Sequence, residues 1–194
     1  SQLSQEVRLL SPEGNRFEWI VGGYFDYSAY SASEKLRYNI FNGLFAGQAH
    51  SNFHQYARTY SVYGTGTWHI TDRLSGIFGL RWTGIGKNGS YLMTQDIGLP
   101  FGFVPGQYIH AHVHEDHLDP SVTFQYDLSK RAMFYASWQQ GSKGGALQGA
   151  DLAVTSDTFT VKPERSEDFE VGAKTSPTDW LTLNLDIYQL KYSN

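Results

Sequence analysis

The chain has 194 residues, a formal net charge of -4 and no cysteine. The charge is mild and is not gathered into a basic face, which argues against nucleic-acid binding. The lack of cysteine excludes disulfides and thiolate metal sites from this chain. The sequence contains no run of about 18 apolar residues, so it predicts no transmembrane helix. Charged residues make up 18% and aromatic residues 15%, a balance that suits a β-sheet facing an unusual solvent.

Alternation of apolar and polar residues begins early in the chain. In FEWIVGGYFDYSAY (17–30), Trp19 and Val21 fall on one face of a strand. Glu18 and Asp26 fall on the other, because successive strand side chains point to opposite sides. The stretch therefore predicts a strand with one apolar and one polar side.

The same period of two recurs along the rest of the chain. It is found in RTYSVYGTGTWHI (58–70), LSGIFGLRWT (74–83), LDPSVTFQYD (118–127), RAMFYASWQQ (131–140), EDFEVGAKT (167–175) and WLTLNLDIYQLKY (180–192). With SQEVRLL (4–10) at the start, the pattern predicts about eight strands, most near the 9–11 residues that cross a bilayer at a tilt.

The connections between these strands alternate in length. SPEGNR (11–16), TDR (71–73), DLSK (127–130) and SPTD (176–179) are short and carry turn-forming residues. Between them lie polar or glycine-rich segments, which we expect to be long loops, at 31–54, 85–116 and 141–161. Soluble sandwiches have mostly short loops at both ends, whereas transmembrane barrels have short turns on one side and long loops on the other. The alternation therefore favours antiparallel strands of a transmembrane β-barrel, with short periplasmic turns and long extracellular loops.

The two faces of such a sheet have different expected environments. We expect the apolar set to face lipid: Trp19, Phe78, Leu80, Trp82, Phe124, Trp138, Leu183 and Leu185. We expect the charged set to face the barrel lumen: Asp26, Arg81, Asp168, Glu170 and Lys174. A cation such as Arg81 at the centre of the lipid face would cost about 2–4 kcal/mol, so its place in the charged set supports this register.

Four of the seven histidines lie within HAHVHEDHLD (110–119). His110, His112 and His114 alternate and share a face in a strand, while His117 points to the other side. Imidazole and carboxylate groups suit zinc, copper or iron, but a spacing of two is what any alternating strand gives. Because the stretch lies at the end of the longest expected loop, just before a strand beginning near Leu118, we expect an extracellular rim or ligand contact rather than a dedicated metal site.

GIGKNG (84–89) matches a dinucleotide-binding pattern. That site requires a helix directly after the glycines, and the next residues are interrupted by Gly98 and Pro100. We therefore predict a flexible loop here. No nucleophile elbow or zinc-protease helix motif occurs, so the sequence predicts no enzyme.

Several segments together resemble the TonB-dependent outer-membrane receptors of the iron-complex type. SQEVRLLSP (4–12) resembles the S-Q-E-x-R-L strand of that family, and the end of YSVYGTGTWHITDRLSGIFGLRWT (60–83) resembles its G-x-R-[YW]-T ending. YASWQQGSKGG (135–145) resembles Y-A-S-x-x-x-G-F-K-x-G-G, with Ser142 where an aromatic residue is usual. VKPERSEDFEVGAKT (161–175) resembles P-E-x-S-x-x-[FY]-E-x-G-x-K. The four motifs occur in the family's order over nearly the whole chain.

The resemblance implies the function and the partners. Family members place a plug domain inside a barrel of about 22 strands and import a scarce ligand, commonly a ferric siderophore, with energy from the TonB complex. We therefore expect residues 1–194 to be a barrel segment in the bacterial outer membrane, without the plug and the C-terminal strands. The expected partners are outer-membrane lipid, a small-molecule metal chelate and, through a region outside this sequence, TonB. We expect no cofactor beyond a possible ferric-siderophore ligand.

Two other interpretations are compatible with the alternation. The chain can be a complete small outer-membrane barrel with a structural or adhesion role, which requires its last strand to pair with its first. It can also be a soluble carbohydrate-binding sandwich, which requires Trp82, Phe124, Leu183 and Leu185 to be buried against a second sheet.

Overall fold

The computed structural model describes residues 1–40, 45–97, 106–149 and 155–194. Eight strands form one antiparallel sheet in the order β1-β2-β3-β4-β5-β6-β9-β10, and β7 pairs with β8 in a small second sheet. The strands are β1 (Gln2–Leu10), β2 (Phe17–Ile40), β3 (Phe45–His69), β4 (Leu74–Ile97), β5 (Tyr108–Ser129), β6 (Ala132–Lys143), β7 (Ala146–Leu147), β8 (Thr160–Val161), β9 (Glu164–Thr178) and β10 (Leu181–Ser193). The described residues contain no helix that is long and apolar enough to cross a membrane.

The short turns lie where the sequence predicts them. Residues 11–16, 70–73, 130–131 and 179–180 connect successive antiparallel strands at one end of the sheet. In the first turn Gly14 has a φ of 82°, a left-handed conformation that glycine adopts without a steric cost. In the second turn the Thr71 hydroxyl accepts hydrogen bonds from the backbone N–H groups of Arg73 and Leu74.

The strands are much longer than predicted, and two of the three expected long loops are wrong. β2, β3 and β4 have 24, 25 and 24 residues, so most of 31–54 and 85–116 is strand. The HAHVHEDHLD segment lies inside β5, which begins at Tyr108 rather than near Leu118, and GIGKNG lies inside β4. Neighbouring strands are held together by hydrogen bonds between backbone groups. A polar segment without alternation can therefore still form a strand when its partner strand continues beside it.

The third expected loop, 141–161, is partly correct. β6 continues to Lys143, and the described residues that follow form only the two-residue strands β7 and β8. Residues 150–154 of this segment, like 41–44 and 98–105 of the other two, lie outside the described residues.

The structure contradicts the sandwich interpretation. Trp82, Phe124, Leu183 and Leu185 are 42%, 44%, 51% and 72% exposed, and no second sheet covers them in the described part of the chain. β1 and β10 form the two edges of the main sheet and are not paired with each other. A self-closed small barrel is therefore not the arrangement of these strands.

Candidate functional site: the polar face of the sheet

Cross-strand pairing assigns each residue to one of the two faces of the main sheet. Directly paired residues share a face, so the row Trp19–Gly66–Phe78–Val122–Trp138 defines what we call the apolar face. All eight residues expected to face lipid have this parity: Trp19, Phe78, Leu80, Trp82, Phe124, Trp138, Leu183 and Leu185. All five charged residues expected to face the lumen lie on the opposite side, the polar face: Asp26, Arg81, Asp168, Glu170 and Lys174.

Among the described residues of the main strands, the buried residues other than glycine lie on the polar face. They are Ala49, Phe53, Ala57, Ser61, Tyr91, Met93, Ile109 and His117. The large side chains of the apolar face, such as Leu80 and Trp82, stay exposed. The apolar face therefore exposes its large side chains to the surroundings of the chain. The contacts that bury side chains lie on the polar face.

Arg81 is the centre of a hydrogen-bonded network on the polar face. Its guanidinium donates to Ser61 Oγ at 3.0 Å and to Thr83 Oγ1 at 3.2 Å, and these two hydroxyls lie 3.0 Å apart. The same guanidinium lies 5.7 Å from the centre of the Tyr63 ring. Tyr63 in turn donates its hydroxyl proton to Glu6 Oε1 at 2.5 Å. The network links β1, β3 and β4. Arg81 is therefore held by contacts with neighbouring strands of the sheet.

A second tyrosine on the polar face repeats this arrangement. Tyr135 donates its hydroxyl proton to Glu170, and Lys174 Nζ lies 5.3 Å from the ring centre. Its ring lies across Gly172, where a Cβ atom would come within 2.5 Å of the ring. A cation over an aromatic face adds about 0.5–1 kcal/mol where the pair is exposed. Glu170 and Lys174 therefore have structural partners within the sheet.

The two acidic candidates, Asp26 and Asp168, are partly paired. Asp26 Oδ2 accepts a hydrogen bond from Gln2 at 2.9 Å, and Asp168 Oδ2 accepts one from Gln139 at 3.1 Å. Asp168 Oδ1 is buried and has no hydrogen-bond partner in the described part of the chain.

Residues 144–149, which directly follow β6 and which we call the covering segment, fold over the polar face at the end away from the short turns. The Glu115 carboxylate accepts the backbone N–H of Gly145 at 2.9 and 3.1 Å, and Lys87 Nζ donates to the Gly145 carbonyl. His117 Nε2 lies 3.0 Å from Glu115 Oε2. The paired donors and acceptors hold this segment against β4 and β5.

Apolar side chains complete this contact. Leu147 of the covering segment, together with Phe159, packs with residues of β3, β4 and β5: Ala49, Phe53, Tyr91, Met93 and Ile109. Phe53 contacts Phe159 edge-on, with ring centres 6.2 Å apart, and lies 6.1 Å from the ring of Tyr30. Tyr30 is 59% exposed. It is the exposed aromatic edge of this cluster, a surface that suits contact with a flat, partly apolar ligand.

The four candidate histidines are divided between the faces. His110, His112 and His114 lie on the apolar face, since they pair with Ser90, Asn88 and Gly86 in the rows beyond Trp82. His117 lies on the polar face, is 4% exposed, and has no hydrogen-bond partner at Nδ1 among the described residues. No group of three or more potential metal ligands occurs in the described ranges.

Sequence reasoning missed Tyr30, Tyr63, Glu115 and Tyr135. The pairing of Tyr63 with Gly22 and of Tyr135 with Gly172 depends on strand register, which a single strand does not reveal. Tyr30 lies in a segment expected to border a loop. The signal available was the parity of each tyrosine with the polar residues of its own strand, such as Tyr135 with Gln139.

One comparison with known proteins identifies the family. Residues 3–194 match the family model described as TonB dependent receptor-like, beta-barrel. A search of curated proteins found no match.

Solved receptor structures share the fold. The ferric yersiniabactin uptake receptor FyuA from Yersinia pestis is 20% identical with a TM-score of 0.74, over 97% of this chain and 28% of that one. The closed form of the ferric-catecholate import receptor Fiu from E. coli K12 is 14% identical with a TM-score of 0.69, over 100% of this chain and 31% of that one. The siderophore receptor PiuA from Acinetobacter baumannii is 11% identical with a TM-score of 0.54, over 96% and 39%.

The chain thus spans about 28–31% of the length of the first two structures. Its match to the family model covers nearly every residue, and its sheet has the two-sided pattern of a membrane barrel wall. The chain belongs to the TonB-dependent receptor-like β-barrel family of the bacterial outer membrane.

Proposed function

We propose that this chain is part of the wall of a receptor that imports a ferric siderophore across the outer membrane with energy from TonB. The single observation that carries the proposal is the family match over residues 3–194. FyuA, a ferric yersiniabactin uptake receptor, and Fiu, a ferric-catecholate import receptor, share this fold, which supports a ferric chelate as the cargo. The proposed role is transport rather than catalysis.

In this proposal the apolar face contacts lipid and the polar face lines the lumen. The exposed Leu80 and Trp82 suit a hydrocarbon environment, and the Arg81 network suits the interior of a barrel, where charges do not meet lipid. In this proposal the aromatic cluster of Tyr30, Phe53 and Phe159 faces the lumen at the end of the sheet away from the short turns. A chelate passes along this surface. An aromatic surface of this kind contacts the rings of phenolate or catecholate siderophores.

The test is uptake of iron-55 by iron-starved cells that lack or carry the intact receptor. The probes are ferric yersiniabactin and a ferric catecholate, each with and without a functional TonB. The proposal expects receptor-dependent uptake of at least one chelate that disappears without TonB. Uptake of neither chelate above the level of receptor-less cells contradicts the siderophore assignment, and uptake that persists without TonB contradicts the energy source.

A further inference from the structure

We propose that a trough on the apolar face binds the phosphorylated headgroup of an outer-leaflet lipid. The trough lies between β3 and β5, with β4 as its floor, in the rows beyond Trp82. It has a volume of about 640 Å³. The inference rests on the assignment of this face to lipid in the proposed function.

Gly86 opens the floor of the trough. It lies on the apolar face of β4, and a Cβ atom there would meet no atom within 4 Å, whereas a Cβ atom on Gly84 would meet the Trp82 ring at 3.1 Å. On either side of Gly86, Arg58 of β3 and His114 of β5 are its direct cross-strand partners. Strands are spaced about 4.8 Å apart, so the two side walls are separated by about 10 Å. That width accommodates a sugar or phosphate group.

One end of the trough is apolar and aromatic. Trp82 closes that end, and Leu80 lies two residues further along the same face; they are 42% and 51% exposed. Tyr60 lies beside them on β3 and is 49% exposed. Tyrosine and tryptophan are enriched where a membrane protein meets the headgroup region. The acyl chains of a lipid held in the trough would continue along Leu80 and Phe78.

The β3 side wall of the trough carries a cation, Arg58, that has no anionic partner among the described residues. No carboxylate of the described residues lies within salt-bridge distance of Arg58, and its guanidinium rests 5.8 Å from the centre of the Tyr27 ring. Guanidinium groups bind phosphate through two parallel hydrogen bonds. Arg58 is therefore an exposed guanidinium in the trough that is available to a phosphate group.

His112 provides a second polar group in the trough. Its Nδ1 donates to Asn88 Oδ1 at 2.5 Å, which leaves Nε2 to accept a hydrogen bond from a hydroxyl of the headgroup. The one carboxylate that lines the trough, Asp116, lies 3.7 Å from His114 Nε2. Asp116 and Arg58 lie in different cross-strand rows, paired with Gly84 and Gly86, and no ion pair joins them among the described residues.

The position of the trough favours a lipid over a soluble anion. It opens on the side of the sheet that carries the exposed Leu80 and Phe78, not on the side of the Arg81 network. A soluble ligand that enters the lumen does not reach it. A phosphorylated lipid presents both an anion for Arg58 and chains for the apolar residues in one molecule.

The test is lipid binding to the intact receptor, purified in detergent and analysed by native mass spectrometry. The probes are diphosphorylated lipid A and the same lipid with its phosphates removed. We expect the phosphorylated lipid to bind about tenfold more tightly, because a charge-assisted hydrogen-bond pair corresponds to about that factor. Arg58→Gln removes this preference. Gly86→Leu, which fills the floor, weakens both lipids.

Arg73→Gln is the matched control, since Arg73 is an exposed arginine in a short turn at the opposite end of the sheet. It keeps the wild-type preference. Heat-dependent mobility on SDS gels verifies that each variant barrel is folded. Equal binding of the two lipids to the wild-type receptor, or an unchanged preference in Arg58→Gln, overturns the inference. A receptor that binds the lipid as expected but takes up no ferric chelate contradicts only the proposed function.

Discussion

The ring of Tyr63 lies across Gly22 of the paired strand, so close that a Cβ atom on Gly22 would come within 2.5 Å of the ring. Glycine allows the ring to lie flat on the polar face, where its hydroxyl reaches Glu6 and Arg81 covers its outer side. An aromatic ring that covers a cross-strand glycine is a recurrent device for fixing strand register.

Gly22→Ala is expected to lower the free energy of unfolding by about 1–3 kcal/mol, because the added methyl displaces the Tyr63 ring. Gly23→Ala is the control, since a Cβ there has only the Ser61 carbonyl oxygen, at 4.0 Å, as a neighbour. The measurement is urea unfolding of the receptor followed by tryptophan fluorescence. In a receptor that also carries Tyr63→Ala, Gly22→Ala is expected to lower the free energy of unfolding by less, because the added methyl no longer meets the Tyr63 ring. Equal costs in both backgrounds contradict the assigned contact.

A pair of cysteine substitutions tests which face meets lipid. The chain has no cysteine, so Leu80→Cys on the apolar face and Thr65→Cys on the polar face each provide a single labelling site in this segment. A nitroxide at position 80 is expected to collide with oxygen, which concentrates in lipid, more than with a water-soluble nickel chelate. At position 65 this excess is absent. Electron paramagnetic resonance measures both, and the reverse pattern rejects the assignment of the faces.

The two faces were predictable from sequence because parity along a strand is a local property. Leu80 and Arg81 are adjacent and must point to opposite sides in any strand, so one correct strand assignment places both. The strand ends were not predictable in this way. Residues 84–97 carry glycine and polar side chains without alternation, and they are strand because β3 and β5 continue beside them.

The interior contacts needed information that no single segment carries. Glu115 and His117 are two residues apart in a stretch expected to be a wet rim. His117 is buried and Glu115 is largely buried, because the covering segment at Gly145 returns to Glu115 from 30 positions along the chain. Burial of this kind follows from tertiary folding, and the polarity of HAHVHEDHLD gives no sign of it.

Glu115→Gln is expected to loosen the covering segment from the sheet. The amide retains the shape of the side chain but only one acceptor oxygen, so the charge-assisted bond from Gly145 N–H is weakened. Backbone hydrogen exchange at 144–149 is expected to become about tenfold faster, which corresponds to a loss of about 1.4 kcal/mol in local stability. Asp127→Asn, a carboxylate on the same face near a short turn, is the control. Unchanged exchange in Glu115→Gln removes Glu115 from this role.

Tyr30 and His110 give opposite expectations for chelate uptake. Both side chains are exposed, but Tyr30 lies on the polar face beside Phe53, and His110 lies on the apolar face. Tyr30→Ala is expected to raise the half-saturating concentration of ferric chelate about fivefold or more, because an exposed aromatic contact accounts for about 1 kcal/mol or more of binding. His110→Ala is expected to leave uptake at the wild-type level. Iron-55 uptake, normalised to surface display, measures both. If His110→Ala abolishes uptake while Tyr30→Ala does not, the histidine run touches the ligand after all, and the path of the chelate is not along the polar face.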